Sequence, residues 1–105
     1  MEIGTDIVEI KRVPLTDSFL KGVLSESEMA LYKKRKDQQQ FVAGHFAAKE
    51  AFLKALGTGL PGARLTDLEI RYEEGGRPYL MFQSKRYSIS ISHDGGYAIG
   101  VALVP

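Results

Sequence analysis

The chain has 105 residues, with 14 basic against 13 acidic side chains, 44% hydrophobic residues, two histidines and no cysteine. That size predicts one domain over residues 1–105 with a modest core, and a net charge of +1 gives no electrostatic case for nucleic-acid binding. Without cysteine there are no disulfides, thiolate metal sites or thiol nucleophiles.

The opening Met1-Glu2-Ile3-Gly4-Thr5-Asp6 carries acids where a signal peptide needs a basic and then an apolar stretch. No apolar run approaches the ~20 residues that cross a membrane, so a soluble cytoplasmic protein without membrane contact is expected. Ile3, Thr5 and Ile7 alternate with Gly4, Asp6, Val8 and Ile10, which predicts a strand that Pro14 ends. Asp6 then shares a face with Val8 and Ile10, where a carboxylate is costly unless paired, hydrogen-bonded or metal-bound. Asp17 to Leu24 allows one or two helical turns. Ser25-Glu26-Ser27-Glu28 is a capping box, with Leu24 and Met29 spaced as a hydrophobic staple, and predicts a helix to about Arg35. Lys33 to Lys36 are either a solvated helix end or a patch for an acidic partner.

A second helix is predicted from near Asp37 to just before Gly57, with Phe46, Glu50 and Lys54 on one stripe and His45 and Lys49 beside it. Gly57 to Gly62 reads as a loop. Strands follow at Leu68–Tyr72 and Tyr79–Phe82 around a turn, then at Tyr87–His93 and Tyr97–Val104 around Asp94-Gly95-Gly96. In the last hairpin Ile89, Ile91, Tyr97, Ile99, Val101 and Leu103 are expected to form one face over the chain's own helices. The small Ser88, Ser90, Ser92, Ala98, Gly100 and Ala102 would form the other, open to a neighbouring sheet or helix. Strand, helices and two hairpins predict an α+β fold with a small antiparallel sheet and a long helix packed on it.

Several residues could carry chemistry, each with a plainer alternative. Asp6 and Glu50 are hard oxygen donors of the kind Mg²⁺ takes. Equally, Asp6 could cap a backbone N–H and Glu50 could pair with Lys54 one turn on, worth only ~0.3–0.5 kcal/mol. His93 at a strand end is either a donor to a ligand or structural. Ser92-His93-Asp94 is not a hydrolase triad, because triad members converge from different elements. Gly57-Thr58-Gly59 lacks P-loop spacing and follows a helix.

Three segments together carry a resemblance. Gly4-Thr5-Asp6-Ile7-Val8-Glu9-Ile10, Phe46-Ala47-Ala48-Lys49-Glu50-Ala51-Phe52 with Lys54-Ala55-Leu56-Gly57-Thr58-Gly59, and Ser90-Ile91-Ser92-His93 stand in the order and rough spacing of the holo-acyl-carrier-protein synthases. Leu24 to Glu28 resembles the stretch that opens the family's first long helix. The resemblance implies a small 4′-phosphopantetheinyl transferase, which moves the phosphopantetheine arm of coenzyme A to a serine of apo acyl carrier protein and releases adenosine 3′,5′-bisphosphate. It also implies Mg²⁺ dependence, a role in fatty acid biosynthesis, and a homotrimer with sites between protomers. Carried over by position, Asp6 and Glu50 match the metal ligands and the catalytic centre. Lys54, Gly57, Gly59 and His93 match coenzyme A contacts, and Arg12 matches a carrier-protein contact.

Two departures stand out. His45 occupies a position that is often Arg, which predicts a phosphate contact that is weaker or pH-dependent. The stretch 14–24 is short and holds only Lys21 as a base, which weakens the expected carrier contacts. A non-catalytic nucleotide- or protein-binding module of the same fold is the alternative, although it would not need both carboxylates. A metal-dependent nucleotide hydrolase would use the same pair but pass the phosphoryl group to water.

Overall fold

The computed structural model describes residues 1–57 and 64–105. Its elements are β1 (Glu2–Glu9), α1 (Asp17–Val23), α2 (Glu26–Lys34), α3 (Gln38–Leu56), β2 (Glu69–Tyr72), β3 (Pro78–Phe82), β4 (Lys85–Asp94) and β5 (Tyr97–Val104). Short 3₁₀ turns at Ile10–Arg12 and Leu65–Asp67 link β1 to α1 and precede β2. The strands form one antiparallel sheet in the order β1-β5-β4-β3-β2, so the first and last strands of the chain are neighbours.

Local chemistry sets the helix ends. Thr16 accepts the Phe19 N–H at the start of α1. At α2 the predicted capping box is complete: Ser25 Oγ accepts the Glu28 N–H and Glu28 Oε1 accepts the Ser25 N–H. α3 ends at Gly57, whose φ of 78° is left-handed and whose N–H returns to the carbonyls of Leu53 and Lys54.

α3 lies across one face of β1, β5 and β4, and the register explains how closely. Gly4 pairs with Ala102 and Asp6 with Gly100, while Ile91 pairs with Gly100 and Ile89 with Ala102. A Cβ on Gly4 would stand 1.8 Å from the Ala51 carbonyl oxygen, and one on Gly100 would stand 2.5 Å from the backbone of Ala47 and Ala48. Glycines on the strands and alanines on the helix therefore let two backbones meet without intervening side chains.

This reverses part of the hairpin reading. Ala98, Gly100 and Ala102 face α3, together with Ile89 and Ile91 of β4, whereas Tyr97 and Ile99 are exposed with Ser88, Ser90 and Ser92. The large residues of β4 and of β5 lie on opposite faces. Only a thin β5 face fits under the helix.

The rest of the core flanks this contact. Phe52, Leu68, Ile70 and Leu80 are fully buried, with Phe52 edge-on to Phe82 and Tyr87. Each such side chain is worth about 1.5–3 kcal/mol on burial. A second cluster joins Val42 and Phe41 of α3 to Leu20 and Val23 of α1, with Leu24 buried and the staple residue Met29 packed against it. The β3–β4 connection was not legible: Gln83 and Ser84 both adopt positive φ, at 51° and 64°, where a sequence reader looks for Asn-Gly.

Candidate active site

The backbone contact through Gly4 and Gly100 sets β1 against the middle of α3, and Asp6 and Glu50 thereby line one cavity of about 450 Å³. Arg12, Phe19 and Phe46 line it too, with the two phenylalanine rings 5.6 Å apart. Burial raises the Glu50 pKa, the Asp6 charge raises it further, and Lys54 opposes both. Lys54 does not form the simple helical pair with Glu50. Its Nζ crosses to β1, donating to Asp6 Oδ1 at 3.0 Å and to the Thr5 carbonyl at 3.1 Å.

Asp6 is therefore no backbone cap; its recorded partner is a cation. Two partly desolvated carboxylates from different elements, one made harder to ionise by the other, are a donor set that calls for a cation. Hard oxygen donors suit Mg²⁺, which keeps several waters and needs only one or two protein carboxylates. Among the described residues no three His, Cys, Asp or Glu side chains converge, so a closed all-protein metal cage is not built here.

His93 stands apart from that pair. It lines a second cavity of about 220 Å³ with Arg35, Asp37, Gly44, His45 and Tyr72. Gly44 makes room for it, since a Cβ there would lie 3.1 Å from His93 Nε2. Arg35 is held by Asp37 in a two-pronged pair at 2.7 and 2.8 Å, so much of its charge is already met. His45 is 2% exposed, and its Nδ1 donates to the Phe41 carbonyl at 2.8 Å. Its Nε2 accepts from the Tyr72 hydroxyl at 3.0 Å. Burial pushes the His45 pKa down to about 4 and that of Tyr72 up to about 12. The expected pH-dependent phosphate contact at His45 is thus corrected: the ring is neutral near pH 7 and both of its nitrogens are already bonded within the protein.

Of the remaining expected site residues, Arg12 shares the cavity of Asp6 and Glu50. Gly57 terminates α3, and a Cβ there would meet no described atom within 4 Å. Gly59 lies outside the described residues.

A buried ion pair escaped the sequence reading. Lys49 and Glu28 are both fully buried, with Lys49 Nζ 2.6 Å from Glu28 Oε1 and 2.7 Å from the Val23 carbonyl. Glu28 Oε2 accepts the Ile70 N–H at 2.5 Å. Burial lowers the Lys49 pKa and the Glu28 carboxylate resists that fall. One point thereby ties α1, α2, α3 and β2 together, and it fixes the residue next to Glu50. The available signal was a lysine whose neighbours on the helix face, His45, Phe46, Phe52 and Leu53, are too apolar for a solvent-facing stripe.

Residues 2–102 match the profile of the 4′-phosphopantetheinyl transferase superfamily. The chain belongs to that superfamily. Within it, the chain is 45% identical to the holo-[acyl-carrier-protein] synthase of Thermotoga maritima over 107 residues, spanning 97% of this chain and 60% of that one. It is 43% identical to the synthase of Chlorobaculum tepidum, over 98% of this chain and 97% of the other. Among solved structures, a Bacillus anthracis holo-(acyl-carrier-protein) synthase in complex with CoA (3′,5′-ADP) superposes with a TM-score of 0.87 at 37% identity, covering 96% of this chain and 92% of that one. A Helicobacter pylori synthase in complex with coenzyme A gives 0.86 at 35% identity, covering 98% and 99%. The superfamily's α+β architecture is the one described above. Among the described residues no helix is long and apolar enough to cross a membrane.

Proposed function

We propose that the chain is a holo-[acyl-carrier-protein] synthase, which transfers the 4′-phosphopantetheine arm of coenzyme A to a serine of apo acyl carrier protein. The observation that carries this reading is the meeting of Asp6 and Glu50 in one cavity, in a chain whose relatives over nearly its full length bear that name. In the reaction the serine oxygen bonds to the phosphorus next to the pantetheine arm. The bond from that phosphorus to the bridging oxygen breaks, and adenosine 3′,5′-bisphosphate leaves with the bond's electron pair. The serine proton goes to a base.

Asp6 and Glu50 would hold Mg²⁺, which when bound supplies positive charge to the pyrophosphate oxygens. Glu50, with its raised pKa, receives the serine proton directly or through water. Lys54 and His93 meet phosphate oxygens, while Gly57 lets the chain pass close to the nucleotide; Gly59 joins them by family resemblance. Arg12, on the wall of the same cavity, faces the acidic carrier. His93 lies in a different cavity from the two carboxylates, which supports a site completed between protomers of a homotrimer. The setting is cytoplasmic fatty acid biosynthesis, with the residues acting as a single domain.

The test is to mix the protein with coenzyme A, Mg²⁺ and an apo carrier protein and weigh the carrier. A gain equal to the phosphopantetheine arm is expected. Cleavage of coenzyme A with an unmodified carrier would select a hydrolase instead. Binding without any reaction would select a binding module.

A further inference from the structure

We propose that Lys54 holds the metal's place: its ammonium group is the counter-cation of Asp6 until a divalent cation enters, displaces it, and frees it to face anionic substrate. This rests on the reading that Asp6 and Glu50 are the metal ligands. Lys54 sits one helical turn beyond Glu50, yet its Nζ lies 3.0 Å from Asp6 Oδ1 and 3.1 Å from the Thr5 carbonyl, across the gap between helix and strand. It thus places a positive charge on one of the two Asp6 oxygens open to a metal, where the two cations would repel.

The pair is built to be broken. The Lys54 side chain is 56% exposed, against 18% for Asp6. A pair whose ammonium end is more than half exposed on a flexible four-carbon stem can exchange that end with water. The contrast is Lys49, five residues earlier, whose pair with Glu28 is fully buried and further tied to the Val23 carbonyl. Of these two lysines on α3, one is a fixed strut and the other a movable charge. Without a cation, Asp6 and Glu50 would repel each other across the cavity. Lys54 compensates for that, and a metal compensates for it better. The same lysine therefore competes with the metal in the free protein and becomes available to a phosphate once the metal is in.

A Lys54 that stayed clear of the carboxylates would leave metal affinity nearly unchanged when neutralised, and a structural one would weaken it. A cation seated on Asp6 opposes metal entry, so neutralising it tightens binding, which damage to the fold does not mimic. The experiment is calorimetric titration of the whole protein with Mn²⁺ alone, for the parent and for Lys54→Met, Lys54→Gln, Lys54→Arg and Glu50→Gln. The two neutral variants are expected to bind Mn²⁺ about fivefold more tightly, while Lys54→Arg stays near the parent. Unchanged or weaker binding in both neutral variants, with binding lost in Glu50→Gln, would overturn the role of Lys54 and leave the metal site standing. Parental binding in Glu50→Gln, or no binding by the parent at millimolar Mn²⁺, would overturn the metal site and this proposal with it.

Discussion

Glu50 and His45 stand on the same helix, and burial moves their pKa values in opposite directions for one reason: it disfavours whichever form is charged. On the proposed function Glu50 is the base that takes the serine proton. Replacing it by Gln keeps the size and removes both charge and basicity, so transfer to the carrier should fall by about 10²–10⁴-fold with the melting temperature nearly unchanged. Near-parental carrier modification at limiting Mg²⁺ would contradict the role. For His45 the consequence is stability. The unfolded ring takes a proton near pH 6.5 and the folded one only near 4, so between those values the unfolded chain binds more protons. Stability from this residue is complete above pH 6.5 and is lost as pH falls toward 4. At pH 4.5 the loss is about 2 kcal/mol. Urea unfolding at pH 7.5 and 4.5 should show that loss in the parent, and His45→Gln should show about 2 kcal/mol less acid sensitivity. Equal sensitivity in the two proteins would mean that the ring accepts its proton without opening the fold.

α3 and β1 meet at a distance that Gly4 and Gly100 set, and the energetic sign of a glycine depends on what its missing Cβ would touch. Gly4→Ala and Gly100→Ala each drive a methyl into α3 backbone and should cost about 3 kcal/mol or more, with loss of metal binding as β1 is pushed from the helix. Gly22→Ala in α1 meets nothing within 4 Å and should stabilise by up to about 1 kcal/mol. Thermal melts of the three variants check both signs. The helices were legible because their signals are local: the Ser25–Glu28 box and Gly57 fix ends within a turn. The Asp6 face of β1 was legible from alternation. What failed was relation between elements. Gly95-Gly96 is a two-residue loop that pairs Asp94 with Tyr97 and so puts Ile91 opposite Gly100, but alternation within each strand was read without that register. In the helical pattern His45 and Lys49 lie beside the stripe of Phe46, Glu50 and Lys54, which says nothing of what covers them. Only tertiary packing shows that β2, through Tyr72 and Ile70, closes over them. The Asp6–Glu50 convergence likewise needed the fold, since no spacing in the chain says that these two distant segments line one cavity.

Over the whole molecule, α3 covers one face of the β1-β5-β4 sheet, and no other described element covers the opposite one. That outer face carries Ile3, Ile7, Tyr97 and Ile99 at 69, 63, 43 and 39% exposure, in register beside Ser88, Ser90 and Ser92. An antiparallel sheet can leave a face to water, but such a face normally alternates to polar residues on every strand. Here the central pairing Ile7–Ile99 is apolar on both strands, and contiguous apolar surface of this kind marks an interaction site. The division of the site points the same way, because Asp6 and Glu50 line one cavity and His93 another. A closed ring of copies would cover the apolar face and bring a carboxylate pair and a histidine from different protomers together. The number three comes from the family resemblance. The parent is therefore expected to scatter light as a homotrimer at micromolar concentration. Ile99→Glu places a charge at the centre of the proposed contact, where desolvating it costs several kcal/mol, and touches none of Asp6, Glu50, Lys54 or His93. It should yield a folded, smaller species whose transfer rate is at least tenfold down and recovers partly as protein concentration is raised. A monomeric Ile99→Glu protein working at the parental rate would show that one protomer suffices.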